Sequence, residues 1–431
     1  KRNARPLPPT APYPAAPRGK GRALPQPEGL DPAPTVAQIP DLPHARRRTE
    51  DDPYAPLGVN VGSLRLTPYS ETWAGYDSNA PRAATPKGSA FLREELGLGV
   101  QSNWNNHDLR GALRGAYTDY FQDRKSSRPE GSGKINARID VTRDTTIEAE
   151  GRFNLDTQRP GSIELPSGGA KTVTDRPWTT SYGASLGAAQ KYGRVTLGLR
   201  GSIDRVSYED AKYSDGSTLA LSRGDYTSFE LRGRAAYEVH PGVTPFAEVF
   251  VDTRRHDSRI DASGYARNSK GAGGRIGSTF ELTRTLTGEA SVGYLDRRYD
   301  DSRLADLRGP TFDASLVWSA SPLTTVTARA RTTANETTVA GASGSIVRRG
   351  ELEIGHALFR NFTVTGIAVY QDTSYRGAAA REKLYSVGLK GEYKFTRELS
   401  LKASYTHDDL RSNVGGGYKA DVFMLGLRLQ R

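Results

Sequence analysis

Between Leu384 and Leu410 the sequence alternates with a period of two, breaks at Thr396-Arg397-Glu398, and then alternates again. In the first run Tyr385, Val387, Leu389, Gly391, Tyr393 and Phe395 take one parity, and Ser386, Gly388, Lys390, Glu392 and Lys394 the other. In the second, Leu399, Leu401, Ala403 and Tyr405 stand against Ser400, Lys402, Ser404 and Thr406. Successive side chains of a strand point to opposite faces, so the stretch reads as a hairpin with one apolar face and one charged face. The aromatic residues sit near the ends of the apolar face. The pattern recurs along most of the chain.

Composition decides what such hairpins can build. Only 36% of the 431 residues are hydrophobic, the mean hydropathy is −0.61, and no continuous apolar run supplies a soluble core of this size. A transmembrane barrel needs an apolar residue only at every second strand position, which fits these values. The 46 glycines and 21 tyrosines fit it as well. No apolar run reaches the length of a membrane-spanning helix. Cysteine is absent, which excludes disulfides, thiolate chemistry and cysteine metal sites. The first residue is Lys1, with no apolar leader behind it, so an exported chain would have lost its signal. The net charge of +11 admits an anionic partner. Nucleic acid is not expected, because the basic residues alternate with apolar ones and mix with acids instead of forming a stripe.

The predicted fold class is all-β: an antiparallel up-and-down transmembrane barrel of 18 strands behind a disordered Pro-rich tail. Twelve of the 25 prolines lie between Pro6 and Pro43, which favours polyproline II over helix or sheet. The expected division is residues 1–50 as a periplasmic tail and 51–431 as the barrel. The first strand is read as Val61–Tyr76 and the last as Lys419–Arg431. The connections alternate between short ones, such as Tyr192-Gly193-Arg194 and Phe359-Arg360-Asn361, and longer polar ones, such as Asp156–Trp178 and Thr253–Gly273. Short turns on one side and long loops on the other are the asymmetry of bacterial barrels. An even strand number puts both termini on the short-turn side, read here as periplasmic.

Parity then sorts the faces. Leu197, Leu199, Ile203, Leu231, Val249, Val251, Val292, Leu425, Leu427 and Leu429 are expected to face lipid. The pore-lining set is Arg138, Arg152, Arg200, Glu230, Arg232, Arg234, Glu248, Glu289, Arg329, Arg331, Lys390, Glu392, Lys394 and Lys402. A cation on the lipid face near the midplane costs about 2–4 kcal/mol, so charges gathered at one parity belong where water or a counter-charge meets them. Aromatic residues at both ends of the apolar face fit two interfacial girdles.

The stretch PYAPLGVNVGSLRLTPYSETWAGYDSN (Pro53–Asn79), behind its Pro-rich leader, resembles the opening of the putative beta-barrel porin 2 family, and the ending MLGLRLQR (Met424–Arg431) is similar to that family's close. The resemblance covers about Pro53 to Arg431. It implies an outer-membrane barrel with a hint of polysaccharide export or surface assembly, and it supplies no catalytic residues. The terminal Arg431 departs from the aromatic that ends many outer-membrane proteins.

Nothing in the sequence points to catalysis. His44, His107, His240, His256, His356 and His407 scatter among tail, turns, loop and strands, and no pair has zinc-ligand spacing. No cofactor or metal is expected. The acids Asp296, Asp300 and Asp301, or Asp408 and Asp409, read as solvated loop charge rather than a calcium site. Gly168-Gly169-Ala170-Lys171-Thr172 lacks the spacing of a phosphate loop. The expected partners are outer-membrane lipid and lipopolysaccharide, with an anionic polysaccharide and a periplasmic or peptidoglycan partner for residues 1–50 as further expectations. Three roles stand open: a conduit for hydrophilic solutes, a component of exopolysaccharide export, or a barrel anchoring envelope layers through its tail or loops.

Overall fold

The structure, a computed structural model, describes residues 53–167, 172–283 and 285–431. The Pro-rich tail, most of the Gly168–Thr172 stretch and Arg284 lie outside them. Eighteen long strands follow one another: β1 Leu64–Asp77, β2 Ser89–Ser102, β3 Asp108–Tyr120, β4 Arg128–Asp140, β5 Thr145–Thr157, β6 Trp178–Tyr192, β7 Val195–Tyr208, β8 Tyr226–Tyr237, β9 Val243–His256, β10 Ser269–Thr283, β11 Leu286–Tyr299, β12 Leu307–Ser321, β13 Thr324–Asn335, β14 Gly344–Phe359, β15 Phe362–Arg376, β16 Arg381–Lys394, β17 Leu399–Ser412 and β18 Tyr418–Gln430. Each pairs antiparallel with its neighbours, and β18 closes onto β1 from Tyr69↔Gln430 to Asp77↔Val422. Closure leaves no free sheet edge, the condition for strands to span a bilayer.

The pairing register shows the tilt. Partners taken in turn from Leu66, near the turn end of β1, run through Val100, Gly111, Ile135, Gly151, Ala184, Ile203, Phe229 and Thr253 to Lys270, at the loop end of β10. A path perpendicular to the strands thus climbs from one rim to the other in half a circuit, so the strands lean strongly against the barrel axis.

Outward and inward faces follow parity. Leu197, Leu199, Ile203, Leu231, Val249, Val251, Val292, Leu425, Leu427 and Leu429 are all exposed on the outside. Two aromatic levels bound this band. Tyr237, Phe359, Tyr393 and Phe395 stand at the turn side, and Tyr76, Tyr117, Tyr294, Tyr370, Tyr385 and Phe423 towards the loops. Tyr385 and Tyr393 are eight residues apart on β16. At about 3.4 Å per residue that is about 27 Å along the strand, and about 20 Å along the axis at a tilt near 40°. The separation suits a bilayer core.

Two sequence expectations change. The strands run further at the loop end than alternation indicated: β4 begins at Arg128 rather than Lys134, and β14 at Gly344 rather than Gly350. There the outward positions are Pro129, Gly131 and Gly133 on β4 and Gly350 and Arg348 on β14, which removes the apolar signal but not the backbone pairing. The alternation of short and long connections is also not strict. Residues 377–380 and 413–417, on the loop side, are as short as some turns. The ends of the described chain lie together on the turn side. A short strand, Val59–Val61, folds back on the start of β1, and Arg397, in the turn after β16, donates to the Pro53 carbonyl at 2.6 Å.

Candidate functional site

The concave side of the barrel brings together side chains that the sheet itself keeps apart. Arg152 of β5 donates to Asp204 of β7 at 2.7 Å, and Arg200 of β7 to Glu148 of β5 at 2.6 Å, each passing over β6. Lys402 of β17 reaches Glu71 of β1 across β18. Arg234 of β8 reaches Glu289 of β11 at 2.8 Å, over two intervening strands. Such reach is possible only where curvature makes side chains converge, which fixes the charged parity as the inner wall. All fourteen sequence-selected residues share that inward parity.

Two of the charged clusters of the wall stand nearly half a circuit apart. In one, Glu248 of β9 accepts from Arg232 and from Arg275 at 2.7 Å, with Arg234 at 3.8 Å. Glu230 pairs with Arg232 at 2.9 Å. In the other, Glu71 accepts from Arg428 at 2.7 Å and from Lys402. Each cluster rests on aromatic rings laid flat over glycines. A Cβ at Gly426 would stand 2.5 Å from the Trp73 ring, and one at Gly97 would stand 2.1 Å from the Tyr69 ring. Gly273 and Gly277 sit in the same way beneath Phe250 and Phe246, at 2.5 and 2.8 Å. A cation lies over each ring: Lys402 over Trp73, Arg428 over Tyr69, Arg232 over Phe250 and Arg234 over Phe246, at 5.7, 4.0, 5.2 and 3.6 Å. The carboxylate then fixes the cation from the far side, and the stack of glycine, ring, cation and acid is rigid.

The remaining members of the set take simpler places. Arg329 pairs with Glu351 at 2.8 Å, Arg331 with Asp313 at 3.5 Å and Arg138 with Asp140 at 2.9 Å. Glu392 accepts from Ser400 at 3.5 Å. Lys390 and Lys394 lie on the inner side of β16, alternating with outward Val387, Leu389 and Tyr393. The side chains of Arg138 and Arg200 remain 56% and 34% exposed, so the inner wall has solvent-accessible space.

The loop mouth is crossed by chain. Residues 158–177 leave between β5 and β6, yet Glu164 there accepts a 2.8 Å hydrogen bond from Thr337, between β13 and β14. Those positions lie eight strands apart in a ring of eighteen, so the loop spans the opening. Arg159 donates to the Gly416 carbonyl at 2.9 Å and to that of Arg82 at 3.3 Å, and stands over the Tyr418 ring. Arg176 donates to the Ala80 carbonyl at 3.1 Å. From the β9–β10 loop, Arg267 donates to the carbonyls of Ala342 and Val339 at 2.8 and 3.1 Å. Leu165, Val173, Ala211 and Leu221 are fully buried together under Tyr208 and Tyr213, giving the crossing loop a small core. The surrounding protein, with Glu382 adding repulsion, pushes the Glu164 carboxyl up to about 7 against the opposing pull of Thr337 and Arg267. The sequence marks 156–178 and 253–273 as long polar connections but does not identify Arg159, Glu164, Arg176, Arg267 or Thr337. Their only sequence signal was loop length.

Three of the acids considered for a cation are engaged elsewhere: Asp296 with Arg298, Asp301 with Arg303, and Asp409 with Arg411. His407 meets Asp421 at 2.7 Å and His356 meets Thr324 at 2.8 Å, both on the outward side.

Comparisons with known proteins place this architecture. The model of a family described as "Putative beta-barrel porin 2" matches residues 52–431. A search of curated proteins finds no match. Among solved structures, "Copper transporter OprC" aligns with TM-score 0.47 and 10% identity over 87% of this chain and 81% of that one. Pseudomonas aeruginosa OccK2 (OpdF), solved in complex with glucuronate, gives TM-score 0.44 and 11% identity over 85% and 98% of the two chains. A BenF-like porin from Pseudomonas fluorescens Pf-5 gives 0.42 and 11% over 86% and 100%.

Proposed function

From the premise that this chain belongs to the putative beta-barrel porin 2 family, and is therefore a porin-like β-barrel of the outer membrane, we propose that it forms a water-filled conduit for small hydrophilic solutes, narrowed at the loop mouth. The observation that carries this reading is the inner wall. Charges of both signs line it and neutralise one another in fixed pairs, an arrangement that passes polar solutes without a strong field of one sign. The fourteen residues from Arg138 to Lys402 would form that lining. Both ends of the described chain, which share the short-turn side, would be periplasmic. Catalysis has no support in the wall. The loop crossing at Glu164–Thr337 weighs against passage of a thick polymer, so polysaccharide export would require that loop to move aside. An anchoring role would rest on residues 1–50, which the barrel does not explain.

Planar-bilayer recording of the purified full-length protein tests the proposal. Discrete ohmic steps with weak ion preference are expected. A barrel that inserts but stays silent at all potentials would overturn it.

A further inference from the structure

The outer surface changes character just above the loop-side aromatic level. On β9 the outward residue above Val251 and Thr253 is Arg255; on β10 it is Lys270; on β11, above Tyr294 and Asp296, it is Arg298; on β12, above Phe312 and Pro310, it is Arg308. All four are exposed. Lys270 and Arg298 are direct register partners, so two like charges stand side by side on one face. Arg255 is diagonal to Lys270, because its register partner on β10 would be the residue just before the strand, Asn268. Arg308 is likewise diagonal to Arg298, since Arg308 pairs with Asp296. The result is one row of four cations across four adjacent strands.

Directly opposed like charges destabilise a sheet unless something lies between them. The acids nearby do not remove the excess. Asp296 meets Arg298 at 3.2 Å and Asp306 meets Arg308 at 2.5 Å, while no ion pair is formed by Arg255 or Lys270 among the described residues. Even with the exposed Asp300 that follows Arg298, the row keeps a net positive charge at the height where a bilayer carries its headgroups, with the rings of Tyr294 and Phe312 and the side chain of Val251 below it for acyl chains. An elongated anion with at least two negative groups and an apolar body fits this surface. A small free ion would leave the apolar half unused.

We propose that Arg255, Lys270, Arg298 and Arg308 form a binding site for the phosphorylated headgroup of a membrane glycolipid in the leaflet at the loop end. The site is independent of conduction, because none of its residues faces the lumen.

Native mass spectrometry of the full-length barrel in detergent, titrated with a bisphosphorylated diglucosamine lipid, tests it. The same lipid without phosphates and inorganic phosphate alone serve as comparison arms. One or two molecules of the phosphorylated lipid should be retained, and K270Q/R298Q should weaken retention by roughly tenfold to thirtyfold. The turn-side pair R143Q/R194Q, with the same change in charge, should leave it unchanged. If K270Q/R298Q does not fold by circular dichroism, R255Q/R308Q gives the same readout. Equal retention of the dephosphorylated lipid, equal loss in the turn-side control, or displacement by inorganic phosphate at comparable concentration would each overturn the proposal.

Discussion

Glu248 of the inner wall is shared by three cations, with Arg232, Arg275 and Arg234 converging on it. Replacing it by Gln leaves these cations facing the lumen with one negative charge fewer. The reversal potential of Glu248→Gln under a salt gradient should move towards anion preference, and an unchanged potential would place the cluster away from the ion path. The glycines beneath the rings are constrained by volume. Gly426→Val would drive side-chain atoms into Trp73 and should lower stability by about 1–3 kcal/mol, read from urea unfolding in lipid vesicles. Which residues face inward was legible in the sequence, because strand geometry forces parity. Their partners were not. Arg234 and Glu289 meet over two intervening strands, and nothing in the sequence encodes the curvature that joins them.

At the scale of the element, the β5–β6 loop is the part of the proposed conduit that crosses its mouth. Replacing residues 160–175 by a short Gly-Ser linker should raise single-channel conductance several-fold while the β5–β6 pairing persists. Equal conductance in the shortened protein would show that the crossing does not limit flow. Glu164 gives this crossing a pH dependence. Its carboxyl titrates near 7 in the bridged mouth and at the ordinary carboxylate value once released, so the bridged state is the one that holds the proton. Bridging is therefore favoured at low pH and loses stability as pH rises through about 7. Conductance should increase over that range in the wild type and become flat in Glu164→Gln. The sequence marked this loop only by its length, because contacts made across a mouth have no periodicity. The same limit shortened the sequence reading of β4 and β14, where pairing continues but the apolar signal stops.

For the molecule as a whole, the lipid band and the lumen are two solvents separated by one layer of backbone. An arginine at Leu427, inside the outward band, should cost about 2–4 kcal/mol. The same arginine at Ala112, exposed on the inner wall, should change stability by no more than about 0.5 kcal/mol. Denaturant unfolding of both variants in vesicles checks the contrast, and equal costs would contradict the assignment of faces. The strand number and closure were readable because each hairpin repeats the same two-faced pattern and each turn is marked by a break in it. The crossing of the mouth was not readable, because it depends on loops meeting from opposite sides of a ring.

The ion pairs that skip a strand have a mechanical consequence. Hydrogen bonds between neighbouring strands fix their spacing but resist bending at the joints only weakly, so a ring of eighteen could flatten towards an ellipse. Arg152–Asp204, Arg200–Glu148, Lys402–Glu71 and Arg234–Glu289 each tie a strand to one beyond its neighbour, as diagonal braces stiffen a hinged frame. The cross-section of this barrel is thus braced by the reach of its own arginines and lysines, and its shape is a property of the wall even where no loop intrudes.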